Sequence, residues 1–214
     1  MCHGEGGSNW VHDWGLGGSL VSGACGATAE AARQKAQLLE CLRRTGAVRF
    51  GEFTLASGRK SDYYVDKYLF ETDPACLRLL GEMVSQRVSS GTDLLAGIEL
   101  GSIAIAAAAA LECGLPFLIV RKAPKGYGTV RQVEGAFRTG QRVLLVEDVT
   151  TTGSGILNAV KVLRAAGLVV DRCVCAVDRQ EGAEAACAAE AVALDALLTA
   201  SEILGVRKRE AGAA

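Results

Sequence analysis

The sequence predicts an α/β fold with a mainly parallel central sheet flanked by helices. Three observations predict it. Short, continuously apolar runs alternate with segments of helical period. Those runs are apolar on both faces, as in strands covered from both sides. The helical segments end at glycines, and no internal repeat interrupts the alternation.

In chain order, Leu38, Leu39 and Leu42 recur at helical spacing, and Gly46 is a stop. Asp93–Ile98 (DLLAGI) reads as a buried strand. Ser102–Cys113 reads as an alanine-rich helix ended by Gly114 and Pro116. Phe117–Val120 and Val143–Glu147 are further strands, and Gly155–Ala166 is a helix stopped by Gly167. Cys173–Val177 is a strand, Gly182–Glu190 is helical, Val192–Leu194 is a weaker strand, and a short helix starts at Ser201. Strand–helix–strand units imply right-handed crossovers. Residues 123–136 (APKGYGTVRQVEGA) have no period and carry three glycines among charges, which predicts an active-site lid.

Residues 1–28 differ in texture. They are rich in Gly and Ser, lack periodicity, and are expected to be a mobile extension. Gly15, Gly17 and Gly18 fail the spacing of a dinucleotide loop and follow no strand. The expected division is 1–28 as extension, 29–205 as one domain (29–70 N-terminal, 71–205 core) and 206–214 as tail.

Composition removes several function classes. Half of the 214 residues are hydrophobic and 22% are charged, enough apolar material for a sizeable core. A net charge of −1 gives no electrostatic footprint for nucleic acid or for a membrane surface. Ile103–Leu111 is about half of a membrane span, and the N-terminus lacks the pattern of a signal peptide. The eight cysteines include no C-x-x-C, and their scatter fits reduced thiols in a cytoplasm. Cys173 and Cys175 share a strand face and read as small core residues. His3 and His12 are the only histidines, so a Ser-His-Asp triad or histidine-rich metal site in the core is excluded.

The strongest signal is Val143–Gly155, VLLVEDVTTTGSG. An apolar strand leads to two adjacent acids, Glu147 and Asp148, at the end where open α/β sheets bind ligands. Thr151, Thr152, Gly153, Ser154 and Gly155 follow, then a helix. Backbone N–H groups of such a turn, hydroxyls and the positive helix end converge on one anion. Carboxylates repel phosphate but are strong acceptors for ribose hydroxyls. Together these describe a site for a 5-phosphoribosyl group. A polar turn that merely caps a helix accounts for Thr and Ser, but not for two adjacent acids after a buried strand.

This thirteen-residue string resembles the phosphoribosyl-pyrophosphate motif of the type I phosphoribosyltransferases. Phe50–Lys67 (FGEFTLASGRKSDYYVDK), Val120–Gly135 (VRKAPKGYGTVRQVEG) and Val177–Glu181 (VDRQE) resemble, in order, the substrate segment, the catalytic loop and the orotate-contacting segment of orotate phosphoribosyltransferases. The resemblance spans about residues 30–205. It implies the type I fold, with a small N-terminal hood over residues 29–70 and a flexible catalytic loop. It also implies the conversion of orotate and phosphoribosyl pyrophosphate to orotidine 5′-monophosphate, with Mg²⁺ held by substrate and water, and a homodimer whose lid reaches the neighbouring site.

The implied site residues follow. Lys122, Lys125 and Asp148 are catalytic. Arg121 and Tyr127 join them, with Glu147 and Thr151–Gly155, on phosphoribosyl pyrophosphate. Tyr63, Tyr64, Thr151 and Arg179 receive orotate. The charge logic agrees, because two anionic substrates need many cations. Arg121, Lys122, Lys125 and Arg131 lie in or beside the lid, while Arg59, Lys60 and Lys67 flank the tyrosine pair. Tyr127 stands where the family often has histidine. It can donate to phosphate but cannot shuttle protons near neutrality. Ala56 and Gly101 stand where some members have lysine. The alternatives are transfer to another base, or a regulator that binds phosphoribosyl pyrophosphate without turnover. The intact lid segment and Arg179 favour the enzyme.

Overall fold

The computed structural model describes residues 24–54, 60–123 and 132–211. Helix α1 (Ala24–Arg44) is followed by strands β1 (Val48–Thr54) and β2 (Lys60–Val65), short helix α2 (Lys67–Glu71) and α3 (Pro74–Ser85). The core continues with β3 (Leu94–Ile98), α4 (Gly101–Cys113), β4 (Phe117–Val120), β5 (Val133–Glu134), β6 (Arg142–Thr150) and α5 (Ser154–Ala165). It closes with β7 (Val169–Asp178), α6 (Ala183–Ala189), β8 (Ala193–Thr199) and α7 (Ala200–Ala211).

Six strands form one sheet in the order β5-β4-β3-β6-β7-β8, parallel except for β5. The chain steps outward from β3 to β4 and β5, then crosses β3 and steps the other way through β6, β7 and β8. The reversal falls between β3 and β6. Their carboxyl ends therefore part at a crevice, the place where open α/β sheets take ligands. β1 and β2 pair antiparallel in a separate two-stranded sheet, the expected hood.

Two cores flank the sheet, as alternation along buried strands requires. On one face Leu144 and Val146 of β6 join Leu38 and Leu42 of α1, Leu80 of α3 and Ile105 of α4. On the other, Val143 and Leu145 join Ile156, Val160 and Leu163 of α5. Cys173 and Cys175 are fully buried, as their spacing predicts, and Cys41, Cys76, Cys113, Cys173, Cys175 and Cys187 are free thiols.

Several boundaries differ from expectation. β6 runs to Thr150, three residues past the expected strand end at Glu147, because its parallel ladder with β7 continues to Thr150 opposite Asp178. β8 extends to Thr199 for the same reason. The segment expected to be lid throughout contains β5, which pairs antiparallel with β4 and brings the chain back to the sheet edge. α1 reaches back to Ala24, into the stretch read as extension. α3, which the sequence did not announce, is capped by Asp73 through the N–H groups of Ala75 and Cys76, with Pro74 in its first turn.

Candidate active site

The end of β6 carries the acid pair, and strand geometry separates its members. Successive residues face opposite sides, so Glu147 continues the α5 face and Asp148 the face covered by α2 and α4. The expected strand ended at Glu147, and the observed one carries on through Asp148 to Thr150. Asp148 is buried and receives Lys67 Nζ at 2.6 Å on Oδ2, while its Oδ1 accepts the N–H of Val149 at 2.5 Å. Burial works to lower the Lys67 pKa, but the hydrogen bond and charge of Asp148, with Glu71 behind it, outweigh burial and raise it. Burial, then the charge of Asp148, pushes the Glu147 carboxyl well above the ordinary range. Glu147 Oε2 is buried without a hydrogen-bond partner among the described residues.

Lys67 enters this point from α2, and residue 101 explains why nothing enters from α4. A Cβ on Gly101 would fall within 3 Å of carboxylate oxygens of both Asp148 and Glu71. The absence of lysine there is thus matched by a cation delivered from another element.

After β6 the chain turns through Thr151 and Thr152 into α5. Gly153 sits at its N-cap with φ +80°, a left-handed conformation costly for other residues. A side chain there would also crowd the backbone of Ala183. The Thr152 hydroxyl donates to Ser154 Oγ at 3.4 Å. The turn thus sets the predicted cradle, Thr151 to Gly155, at the start of a twelve-residue helix. Ser154, Gly155 and Asn158 line a cleft of about 320 Å³ with Arg121 and Lys122. Glu99, in the turn after β3, accepts the Lys122 N–H at 3.0 Å and so ties the root of the lid to the switch point. Arg121 Nε is buried without a hydrogen-bond partner among the described residues. Lys125, Tyr127 and Arg131, with Ala56 and Arg59, lie outside the described residues.

A second cleft, of about 590 Å³, opens between the hood and the end of β7. Lys60, Ser61, Tyr63, Arg179 and Glu181 line it. Arg179 is only 9% exposed, which a surface salt-bridge residue would not be. Its guanidinium lies 4.6 Å from the centre of the Tyr63 ring, and its Nη2 donates to Ser61 Oγ at 3.2 Å. Its Nε is 3.0 Å from Glu181 Oε1, an ion pair without hydrogen-bond alignment. Tyr64 faces away from Arg179. Alternation along β2 turns it outward, where its ring meets Phe53 at 5.6 Å between centroids.

The structure therefore brings Lys122, Arg121, Ser154 and Gly155 to one cleft, Asp148 and Glu147 to the neighbouring strand end, and Arg179 with Tyr63 to a cleft under the hood. Sequence reasoning missed Glu71 and Ser61. Glu71 had a signal of sorts, an acid closing an otherwise apolar run. Ser61 had none, because its partner lies 118 residues away. No group of three or more His, Cys, Asp or Glu among the described residues is placed to hold a metal ion. No helix among them is long and apolar enough to cross a membrane.

Comparison with known proteins places this geometry. The phosphoribosyl transferase domain family matches residues 70–190. Orotate phosphoribosyltransferase of Methanocella arvoryzae is 52% identical over 171 residues, covering 80% of this chain and 98% of that protein. The crystal structure of orotate phosphoribosyltransferase from Aeropyrum pernix superposes with a TM-score of 0.72 at 34% identity, over 80% of this chain and 98% of that one. The Mycobacterium tuberculosis enzyme in complex with 5-phospho-α-D-ribosyl 1-diphosphate gives 0.67 at 32% identity, over 79% and 98%. The chain belongs to the phosphoribosyltransferase family, and within it to the orotate phosphoribosyltransferases.

Proposed function

We propose that this chain transfers the 5-phosphoribosyl group of phosphoribosyl pyrophosphate to N1 of orotate. The products are orotidine 5′-monophosphate and pyrophosphate, a step of pyrimidine biosynthesis. The observation that carries the choice of base is the buried Arg179 in the cleft beneath the hood. Orotate differs from uracil by one carboxylate, and a planar guanidinium held on an aromatic ring suits that group. Tyr63 and the Thr151 hydroxyl flank the ring in this reading, and Tyr64 contributes through the hood backbone rather than its side chain.

In the reaction the C1–O bond to pyrophosphate breaks as the N1–C1 bond forms, through a ribose that gains oxocarbenium character, and the N1 proton of orotate passes to the departing pyrophosphate or to water. Catalysis is then mainly positioning and stabilisation of the leaving charge. Asp148 and Glu147 accept from the ribose hydroxyls. The turn Thr151, Thr152, Gly153, Ser154 and Gly155 holds the 5′-phosphate. Lys122 and Lys125, supported by Arg121 and Tyr127, stabilise pyrophosphate. Mg²⁺, when bound with phosphoribosyl pyrophosphate, would be held by substrate oxygens and water and would offset part of the pyrophosphate charge that Lys122 and Lys125 face. The lid closes to keep water from the activated ribose. It acts in a homodimer, reaching the neighbouring subunit's site, in the cytoplasm, where free thiols persist.

The test follows base consumption spectrophotometrically with phosphoribosyl pyrophosphate and Mg²⁺. Orotate is expected to be consumed, while adenine, hypoxanthine and uracil are not. Turnover of a purine base in preference to orotate would overturn the assignment.

A further inference from the structure

Glu71 is the last residue of α2 and is 2% exposed. A buried carboxyl of this kind is kept only where it is paired or protonated. Its oxygens and Asp148 Oδ2 meet over the α-carbon of Gly101, in the space that a side chain at 101 would fill. Lys67, one turn before it on the same helix, reaches that same Asp148 oxygen at 2.6 Å. Two carboxyls thus share one lysine at the strand end assigned to ribose, and Glu71 Oε1 has no hydrogen-bond partner among the described residues.

Two acids with one cation are best satisfied by one retained proton, since a second full negative charge in this space would repel Asp148 and compete for Lys67. Burial, followed by the charge of Asp148, moves the Glu71 pKa up to about 7, against the opposing pull of Lys67. The groups acting on Glu71 are Asp148 from β6, and Lys67 and Asp66 from α2 and its N-cap; Glu147 lies beyond Asp148. α4 presents Gly101, and α3 keeps its capping Asp73 on Arg44.

We propose that Glu71 is a positioning residue for phosphoribosyl pyrophosphate: it holds the Asp148 carboxylate through a shared proton, with Lys67 as the counter-charge. The protonated Glu71 donates to Asp148 Oδ2 and leaves the remaining lone pairs aimed at the ribose hydroxyls. Deprotonated Glu71 turns this point repulsive toward a polyanionic substrate. This rests on the reading of Asp148 as the ribose-binding acid.

The experiment is calorimetric binding of phosphoribosyl pyrophosphate with Mg²⁺ to the full chain between about pH 6 and pH 8.5, with no base present. The wild-type Kd is expected to rise several-fold, on the order of 3–10, across the Glu71 titration. Glu71→Gln, always neutral and still a donor, is expected to keep the low-pH Kd and lose that rise. Ionisation of the ligand itself affects all proteins alike, so the difference between profiles is the readout. Lys67→Gln provides a second variant at a partly exposed position. Removing the cation should weaken binding and move the midpoint to higher pH. Matching profiles for wild type and Glu71→Gln, or an unmoved midpoint in Lys67→Gln, would overturn the proposal. Asp148→Asn separates the two levels. If it leaves Kd unchanged, the reading of Asp148 fails and the role of Glu71 fails with it. If it weakens binding while Glu71→Gln follows wild type, only the role of Glu71 fails.

Discussion

Ser61 accepts a hydrogen bond from Arg179 at 3.2 Å, tying the hood to the end of β7 across 118 residues of sequence. With the Tyr63 ring beneath and Glu181 beside it, the guanidinium is held from three directions. Ser61→Ala removes one of them and leaves the charge in place. The KM for orotate should rise by a few-fold, the equivalent of about 1 kcal/mol, with kcat little changed. Steady-state kinetics at saturating phosphoribosyl pyrophosphate measure this. An equal loss in kcat and in kcat/KM would mean that Ser61 acts in the transition state instead.

Gly101 has no room for a side chain. Gly101→Ala would drive a methyl group into the carboxyls of Asp148 and Glu71. Overpacking of this kind costs about 1–3 kcal/mol, here spent on displacing the acid assigned to ribose. The variant should bind phosphoribosyl pyrophosphate more weakly than wild type and melt lower. Wild-type affinity and melting temperature together would show that the crowding is relieved without cost.

Glu71 also makes stability depend on pH, and the sign is fixed. Its folded pKa, about 7, lies above the ordinary 4.5. The native state therefore binds the proton more tightly than the unfolded chain, and stability contributed by this group is full at low pH and is lost as pH rises from about 4.5 through 7. Glu71→Gln escapes that loss. At about pH 8 it should be more stable than wild type, by on the order of 2–3 kcal/mol, and the difference should vanish near pH 4. Urea melts at both pH values check this. A Glu71→Gln protein that is less stable at pH 8 would mean that its charge is a net benefit.

Much of this was legible in the sequence, for physical reasons. The buried strands β3, β4, β6 and β7 are continuous apolar runs, and α4 and α5 end at glycines, so periodicity and stops located them. The turn into α5 at 151–155 was legible because small and hydroxylated residues in a row suit the start of a helix. The hairpin β1–β2 was not read as strands. Its residues are mostly exposed, and its register is set by pairing, such as Phe50 with Tyr63, rather than by alternation. The end of β6 was misjudged because polar residues there look like a loop, whereas its ladder with β7 carries the strand on to Thr150. That extension makes Asp148 a strand residue whose carboxyl meets Lys67 of α2 and Gly101 of α4. The cluster of Lys67, Glu71 and Asp148 joins two residues of α2 to a strand end about 80 positions away, and no local pattern could announce it.

The proposed choice of base rests on Arg179, and its replacement is the most direct test. The measurement is kcat/KM for orotate in Arg179→Ala, with phosphoribosyl pyrophosphate affinity measured in parallel. Losing a buried charge contact in a closed site costs on the order of 2–5 kcal/mol, so kcat/KM for orotate should fall by about 30-fold or more. The affinity for phosphoribosyl pyrophosphate should stay within about twofold of wild type. Unchanged orotate kinetics in a folded Arg179→Ala protein would contradict the account and reopen the question of which base this site receives.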